Sequence, residues 1–363
     1  MVLPGKWEAI DFLTIFFRAQ GKSLLLKQLV EENGSLQILN ENLHKYKKFP
    51  VQSSLFFENE SRSRAEDQVK RCKRHAVNIV TIWDDKYPPL LRHIDYPPVA
   101  LFVKGDVDLT KRTSISIVGT RQNTLYGKHV AEKFVETFVE NDIVITSGLA
   151  NGIDSIAHYF TVKAGGTTIA VIASGLDEMM TTSKKMTERI IEGGGAVYTE
   201  YPCGTIARPG HFPQRNRIIS GVSVATLVVE SDVRGGSLIT ARFAFEQNRE
   251  VFAVPGPIFS AKSSGTNELI KKNAAQAATS PRGVLEDLRI LQPKILTDLK
   301  QELKFDNKVA ETIYALLSGG ALRIDELADQ SDINISELNS KLIEMELEGI
   351  IKQMPGKFYI RNT

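Results

Sequence analysis

The sequence predicts an α/β protein with a doubly wound, mostly parallel sheet between a small helical region and a short helical tail with a hairpin. Three observations predict it. From about residue 113, short apolar runs alternate with helical stretches. The first three runs end at Gly119, Ser147-Gly148 and Ser174-Gly175. Beyond Pro281 and Pro293, three short helical patterns precede a hairpin around Pro355-Gly356.

Residues 1–80 read as short helices. Ile10, Leu13, Ile15, Phe16 and Phe17 form one apolar stripe, and stretches 24–30 and 36–43 follow Gly21 and Gly34. Residues 81–112 hold Tyr87-Pro88-Pro89-Leu90-Leu91 and Tyr96-Pro97-Pro98. Prolines at this density favour extended or turn backbone. The segment reads as a packed proline-rich connector, anchored by Leu90, Leu91, Ile94, Leu101 and Val103.

Residues 113–295 carry the alternation. Apolar runs fall at 115–118, 143–145, 168–172, 196–198, 225–229 and 251–254, and helical stretches at 128–140, 187–191, 238–247 and 267–273. Runs apolar on both faces, separated by helices, are those of a parallel sheet covered on both sides. This is a Rossmann-like layout, and such sheets bind ligands beyond the carboxyl ends of their strands. Residues 296–363 give helical patterns at 309–317, 324–328 and 335–348 and then the hairpin, which suggests a winged-helix domain.

Composition narrows the class. At 363 residues, with 42% hydrophobic and 24% charged residues, the chain has a soluble protein's make-up and room for two or three domains. No apolar run reaches the roughly 18 residues needed to span a bilayer. The first residues lack a signal-peptide layout, and the two cysteines, Cys72 and Cys203, lie in different regions. A reducing cytoplasm is the expected setting. Net charge is only +2, but acids outnumber Lys and Arg over 296–363. A polyanion surface is therefore expected in the central region.

The densest signal there is Phe212-Pro213-Gln214-Arg215-Asn216-Arg217-Ile218-Ile219-Ser220-Gly221, with no acid between Cys203 and Gly221. Guanidinium forks suit phosphate, so Arg215 and Arg217 are candidate contacts. One of them can instead partner a carboxylate such as Glu230. The turn Arg234-Gly235-Gly236-Ser237 opens a helix whose N-terminal N–H groups suit the same anion. Gly119, Thr120 and Arg121 form the loop after the first strand, and Ser147 and Gly148 the loop after the second. Lys184 and Lys185 follow the third. Each also fits a plain turn with solvated side chains. Phe212, Tyr126 and Phe243 are candidate stacking surfaces.

Asp154 and His158 share a helix face, but the spacing supplies no third metal ligand, and Asp154 can instead cap that helix. The glycine loop is not G-x-G-x-x-G and lacks a following ribose-binding acid. No nucleophile elbow, phosphate-loop lysine or H-E-x-x-H occurs.

Taken together, Val118-Gly119-Thr120-Arg121, Ser147-Gly148-Leu149-Ala150-Asn151-Gly152-Ile153-Asp154, Gly175-Leu176-Asp177, the Phe212–Gly221 run and Gly236-Ser237-Leu238-Ile239-Thr240-Ala241 resemble the DprA/Smf family. Val251-Phe252-Ala253-Val254-Pro255-Gly256 and Gly265-Thr266-Asn267-Glu268-Leu269-Ile270 continue the resemblance, which covers about 80–295. It implies a SAM-like N-terminal domain and a homodimer paired through the Rossmann-like domain, with no metal or nucleotide cofactor. It implies sequence-independent binding and protection of single-stranded DNA, and loading of RecA recombinase onto it during natural transformation. The family's DNA contacts map onto Arg121 and onto Lys185. Where the family has Tyr-Pro and Asn after Gly-Leu-Asp, this chain reads Glu178-Met179-Met180-Thr181-Thr182-Ser183-Lys184, so Lys184 can serve in place of Lys185. The alternative is a nucleotide phosphoribohydrolase of the lysine-decarboxylase-like Rossmann group. That group has a catalytic Glu after its Pro-Gly-Gly turn, and no carboxylate opens the helix here.

Overall fold

The computed structural model describes residues 8–19, 22–34, 39, 55–179, 181–291, 307–331, 333–348, 350–354 and 358–361. The chain divides into two compact units, Met1–Pro293 and Lys294–Thr363. No described helix is long and apolar enough to cross a membrane.

In the larger unit, helices α1 (Ala9–Arg18), α2 (Ser23–Asn33) and α3 (Leu55–Arg74) come first. Stretch 36–43 lies outside the described residues except for Leu39, which is buried. Helix α1 packs mainly against α3, with the Arg64 guanidinium 4.7 Å from the Phe17 ring centroid, and its Phe12 ring meets Trp83, just after β1, edge-on at 6.4 Å.

Strands β1 (Asn78–Thr81) and β2 (Ala100–Gly105) are antiparallel to each other, and β2 pairs antiparallel with β6 (Ala196–Thr199). Residues 81–112 are thus more than a connector: they contribute a strand to the main sheet. The prolines occupy the turns, while Ala100, Leu101, Phe102 and Val103 of β2 present a buried apolar run. Tyr87, fully buried, joins the two by donating its hydroxyl to the Pro98 carbonyl at 2.6 Å.

The rest of the sheet is parallel: β3 (Ser114–Val118), β4 (Val144–Ser147), β5 (Thr168–Val171), β6, β7 (Ala225–Val228), β8 (Glu250–Ala253) and β9 (Gln276–Ala277). The order is β1-β2-β6-β5-β4-β3-β7-β8-β9. The six expected strands are all present, within two residues at each end. Strand β9, only two residues long, gives no periodic signal.

Connecting helices are α4 (Leu125–Glu140), α5 (Ile153–Lys163), α6 (Thr181–Glu192), α7 (His211–Gly221), α8 (Ser237–Glu246) and α9 (Ala261–Lys271). The short α10 (Pro281–Asp287) starts at Ser280, whose hydroxyl accepts from Gly283 N at 3.0 Å. One face of the sheet buries Ile115, Ile117, Ile145 and Leu227 against Phe134, Phe138 and Phe160. On the other face, Ser114 and Ser116 donate to the carbonyls of Val222 and Ile219 at 2.8 Å each. These small, hydrogen-bonded side chains let α7 lie close to the central strand, which fixes the basic run over the strand ends.

The smaller unit holds α11 (Lys308–Leu316), α12 (Ile324–Ser331), α13 (Ile335–Leu347) and an antiparallel sheet of β10 (Leu322–Arg323), β12 (Phe358–Arg361) and β11 (Ile351–Met354), in that order. Its own core gathers Ile313, Leu327, Leu338, Leu342 and Tyr359. This is the winged-helix arrangement.

Tyr87→Phe removes the donor to Pro98 while keeping the ring. We expect a loss of about 1–3 kcal/mol, measured as a lower urea midpoint at unchanged denaturant slope.

Candidate nucleic-acid interface

Strands β4, β5 and β6 follow β3 to one side of the sheet, and β7, β8 and β9 lie on the other. The winding direction reverses between β3 and β7, where an open α/β sheet forms its crevice. A cleft of about 640 Å³ lies there, lined by Gly119, Thr120, Arg121, Arg234, Gly236 and Ser237 among others. A smaller pocket of about 170 Å³ adjoins it over the ends of β4 and β5, lined by Arg121, Ile172, Ser174, Met179, Ser183 and Phe212 among others.

Close packing shapes the loops. Gly152 has φ +85°, and a Cβ there would fall 2.2 Å from the Thr120 carbonyl oxygen. The loop after β4 therefore lies directly against the loop after β3. At Gly148 a Cβ would come within 2.6 Å of both the Arg215 guanidinium and the Asp154 carboxylate.

Arg215 is buried, and its Nη1 donates to the carbonyls of Gly148 and Val171. Burial pulls its pKa down to about 10, against the opposing pull of Asp154. Asp154 is buried on α5, with Oδ2 accepting from Gly148 N at 3.1 Å. Burial raises its carboxyl to about 6, and Arg215 opposes that rise. His158, also buried, is lowered to about 3 by desolvation and then by Arg215, so its ring is neutral beside the Thr168 hydroxyl at 2.7 Å. The Asp154–His158 face thus serves the interior.

Two expectations need correction. Arg215 does not face solvent: it repeats with Ile218 and Ile219 on the face of α7 that meets the sheet. Arg217 forms a bidentate pair with Glu200, both bonds 2.8 Å, with both side chains largely buried. Residues two apart on a helix point in different directions, so the run does not form one basic surface. The spacing of Arg215 to the two isoleucines carried that signal.

Glu230 partners neither arginine. It is buried, accepts from Thr124 N at 2.9 Å and from the Thr124 hydroxyl at 2.5 Å, and so closes the start of α4. The anion place at that helix N-terminus is filled by the chain's own carboxylate.

The remaining expected residues divide by exposure. Ser147 is fully buried and donates to the Ile117 carbonyl at 2.6 Å, so it braces β3 against β4 and faces no ligand. Gly148 is buried in the pocket wall, and Ser237 lies at the cleft floor with its hydroxyl on Ser231 at 2.9 Å. Gly119 and Thr120 are half-buried in the cleft wall, while Gly236 is exposed. Arg121, Lys184 and Lys185 are exposed, the lysines in the first turns of α6 beside the pocket. The Arg121 guanidinium lies 5.5 Å from the centroid of the half-buried Phe212 ring. Arg234, exposed on the cleft wall opposite, joins them as a residue not expected beforehand. Its place beside the Gly235-Gly236 turn was the available signal. Among the described residues none of these four cations is ion-paired. Of the other expected stacking surfaces, Tyr126 is exposed and Phe243 is half-buried.

The family description "DNA recombination-mediator protein A" matches residues 78–289, and "DprA winged helix domain" matches 300–357. The chain belongs to the DprA/Smf family. Protein Smf of Escherichia coli is 36% identical over 280 residues, covering 75% of this chain and 74% of that one. DNA processing protein DprA of Bacillus subtilis is 40% identical over 217 residues, covering 60% of this chain and 73% of that one. Among solved structures, DprA from Streptococcus pneumoniae superposes with a TM-score of 0.64 at 31% identity, covering 78% of this chain and 98% of that one. DprA from Helicobacter pylori, described for its single-stranded DNA binding mode, gives 0.53 at 28% identity, covering 58% and 96%.

A DprA/Smf chain with this interior has a defined pH signature. Folding raises Asp154 from its ordinary 3.8 to about 6, so the folded state holds the extra proton between those values. Relative to Asp154→Asn, stability should fall as pH rises from about 4 to about 6, by on the order of 3 kcal/mol, and level off above that. Urea titrations of both proteins across that range check it. A flat difference would contradict it.

Proposed function

We propose that the crest of the sheet binds single-stranded DNA without sequence preference, and that the protein protects the strand and passes it to RecA recombinase as a non-catalytic mediator. One observation supports this most: Arg121 and Arg234 stand exposed on the switch-point cleft and Lys184 and Lys185 beside the adjoining pocket, while the neighbouring Arg215 and Arg217 are committed to the interior. Free cations track a backbone, and aromatic faces such as Phe212 take bases of any sequence, each stack contributing roughly 1–3 kcal/mol. Work on a homodimer paired through this domain, in the cytoplasm and without a metal or nucleotide cofactor, completes the reading that the family resemblance supports.

Glycosidic hydrolysis needs an acid–base group aimed at the substrate. Of the cleft carboxylates, Asp154 accepts from Gly148 N, and Asp232 accepts from Arg234 N at 3.0 Å. Both are turned into their own loops. Release of free base from nucleoside monophosphates by the purified protein would favour the phosphoribohydrolase reading instead.

Each phosphate neutralised on a single strand steepens the log–log salt dependence by about 0.7. Arg121→Ala should weaken oligo-dT binding and flatten the slope by about that amount, and Lys184→Ala with Lys185→Ala by about that amount for each lysine that contacts phosphate. Unchanged affinity and slope in the triple variant would refute the site. Given their acidic excess, residues 305–363 are read as serving protein contacts or regulation more than gripping DNA. A chain ending at Pro293 should keep most of its oligo-dT affinity in the same titration.

A further inference from the structure

Exposed apolar side chains cluster beside the cleft. Leu125 and Tyr126 open α4, Val233 lies in the turn after β7, and Ile258 and Phe259 tip the loop between β8 and α9. Their exposures are 87%, 45%, 60%, 80% and 96%. All five follow the carboxyl ends of strands β3, β7 and β8, so they stand on the same crest as the cleft.

The loops that carry them are braced. Tyr126 donates its hydroxyl to the Pro255 carbonyl at 2.9 Å. Asn267 holds Gly256 from both sides, accepting from its N–H at 3.1 Å and donating to its carbonyl at 3.0 Å. Ser231 N donates to the Lys262 carbonyl at 2.7 Å, and Gly265 N to the Ser231 carbonyl at 2.8 Å. The cleft wall after β7 is therefore joined to the first turns of α9, which directly follow the loop bearing Phe259. A phenyl ring on a braced loop, left almost wholly in water, forgoes the stabilisation that burial would return.

Charge indicates what covers it. Lys128 follows Tyr126 by two residues, Arg234 adjoins Val233, and Lys262 follows Phe259 by three. None of these cations is ion-paired among the described residues. No acid occurs in 119–131 or 251–267, and the rim's Asp232 accepts from the Arg234 N–H. The core of a protein–protein interface is depleted of lysine. Aromatic faces interleaved with unpaired cations suit a polyanion that carries flat bases.

We propose that this rim is a second contact for the strand held in the cleft. Bases leaving the cleft stack on Phe259 and Tyr126, and Lys128, Arg234 and Lys262 take the phosphates between them. The proposal rests on the single-stranded DNA reading above and extends its footprint past the switch point toward β8.

The test uses the full chain and an oligo-dT ladder, comparing wild type, Phe259→Ala and Phe259→Trp. Phe259→Ala should weaken binding of oligonucleotides long enough to reach the rim by about 5- to 150-fold. It should leave the shortest bound oligonucleotide and the salt slope unchanged, and Phe259→Trp should restore affinity. Equal affinity of wild type and Phe259→Ala at every length overturns the rim and leaves the cleft standing. So does a shift of Phe259→Ala to a different oligomeric state in sedimentation, which would assign the rim to a protein partner. Failure of wild type to bind any oligo-dT overturns the DNA reading itself, and the rim with it.

Discussion

The crest of this sheet depends on one buried guanidinium. Arg215 donates to the carbonyls of Gly148 and Val171, at and beyond the carboxyl ends of β4 and β5. Strand ends leave carbonyls without ladder partners, and a buried unpartnered carbonyl is costly. The positive charge would be costly too, were Asp154 not buried nearby as its counter-charge. Asp154 in turn holds the Gly148 N–H, so both polar groups of that glycine are engaged from below. This is why Gly148 must be glycine: a Cβ would fall on the two charged groups that fix it.

A second buried charge does the same work across the switch point. Glu230 follows β7 and reaches the start of α4, which follows β3. The two strands at the reversal are therefore tied by side chains beyond their ladder. Thr120 adds a backbone bond, its N–H donating to the Glu230 carbonyl at 2.8 Å. The cleft walls are thus set before any ligand arrives, which limits the ordering cost that binding must meet.

Much of this was legible in the sequence, for a local reason. Apolar runs bounded by glycine and serine report buried parallel strands wherever they occur, and Ile115–Val118 or Ala225–Val228 need no distant partner to be recognised. Strand β2 was harder, because the prolines around it resemble a connector and only its pairing with Val197 and Tyr198 makes it part of the sheet. The pairing of Arg217 with Glu200 was hidden for the same reason, since seventeen residues and a loop separate them. Cys72 and Cys203 show the limit of such reading. They lie far apart in sequence, yet both are free and buried, and the Gln68 side chain touches both the Cys72 sulfur and the Cys203 backbone.

The arginines of the central region thus divide by what surrounds them, and the division explains how a modest net charge is compatible with the polyanion site proposed above. Arg215 and Arg217 carry charge that is matched inside the protein, so they add rigidity and little outward field. Arg121, Arg234, Lys184 and Lys185 stand exposed with no acid paired to them among the described residues, so their charge is left unmatched at the surface. Screening acts over about 10 Å at moderate salt, which makes such a local cluster more important than the total of +2. On the single-stranded DNA reading proposed above, such a site discriminates by charge and stacking, the cations meeting phosphates and the Phe212 ring meeting base faces. On that reading, tolerance of sequence goes with contacts that any phosphate and any base face can make.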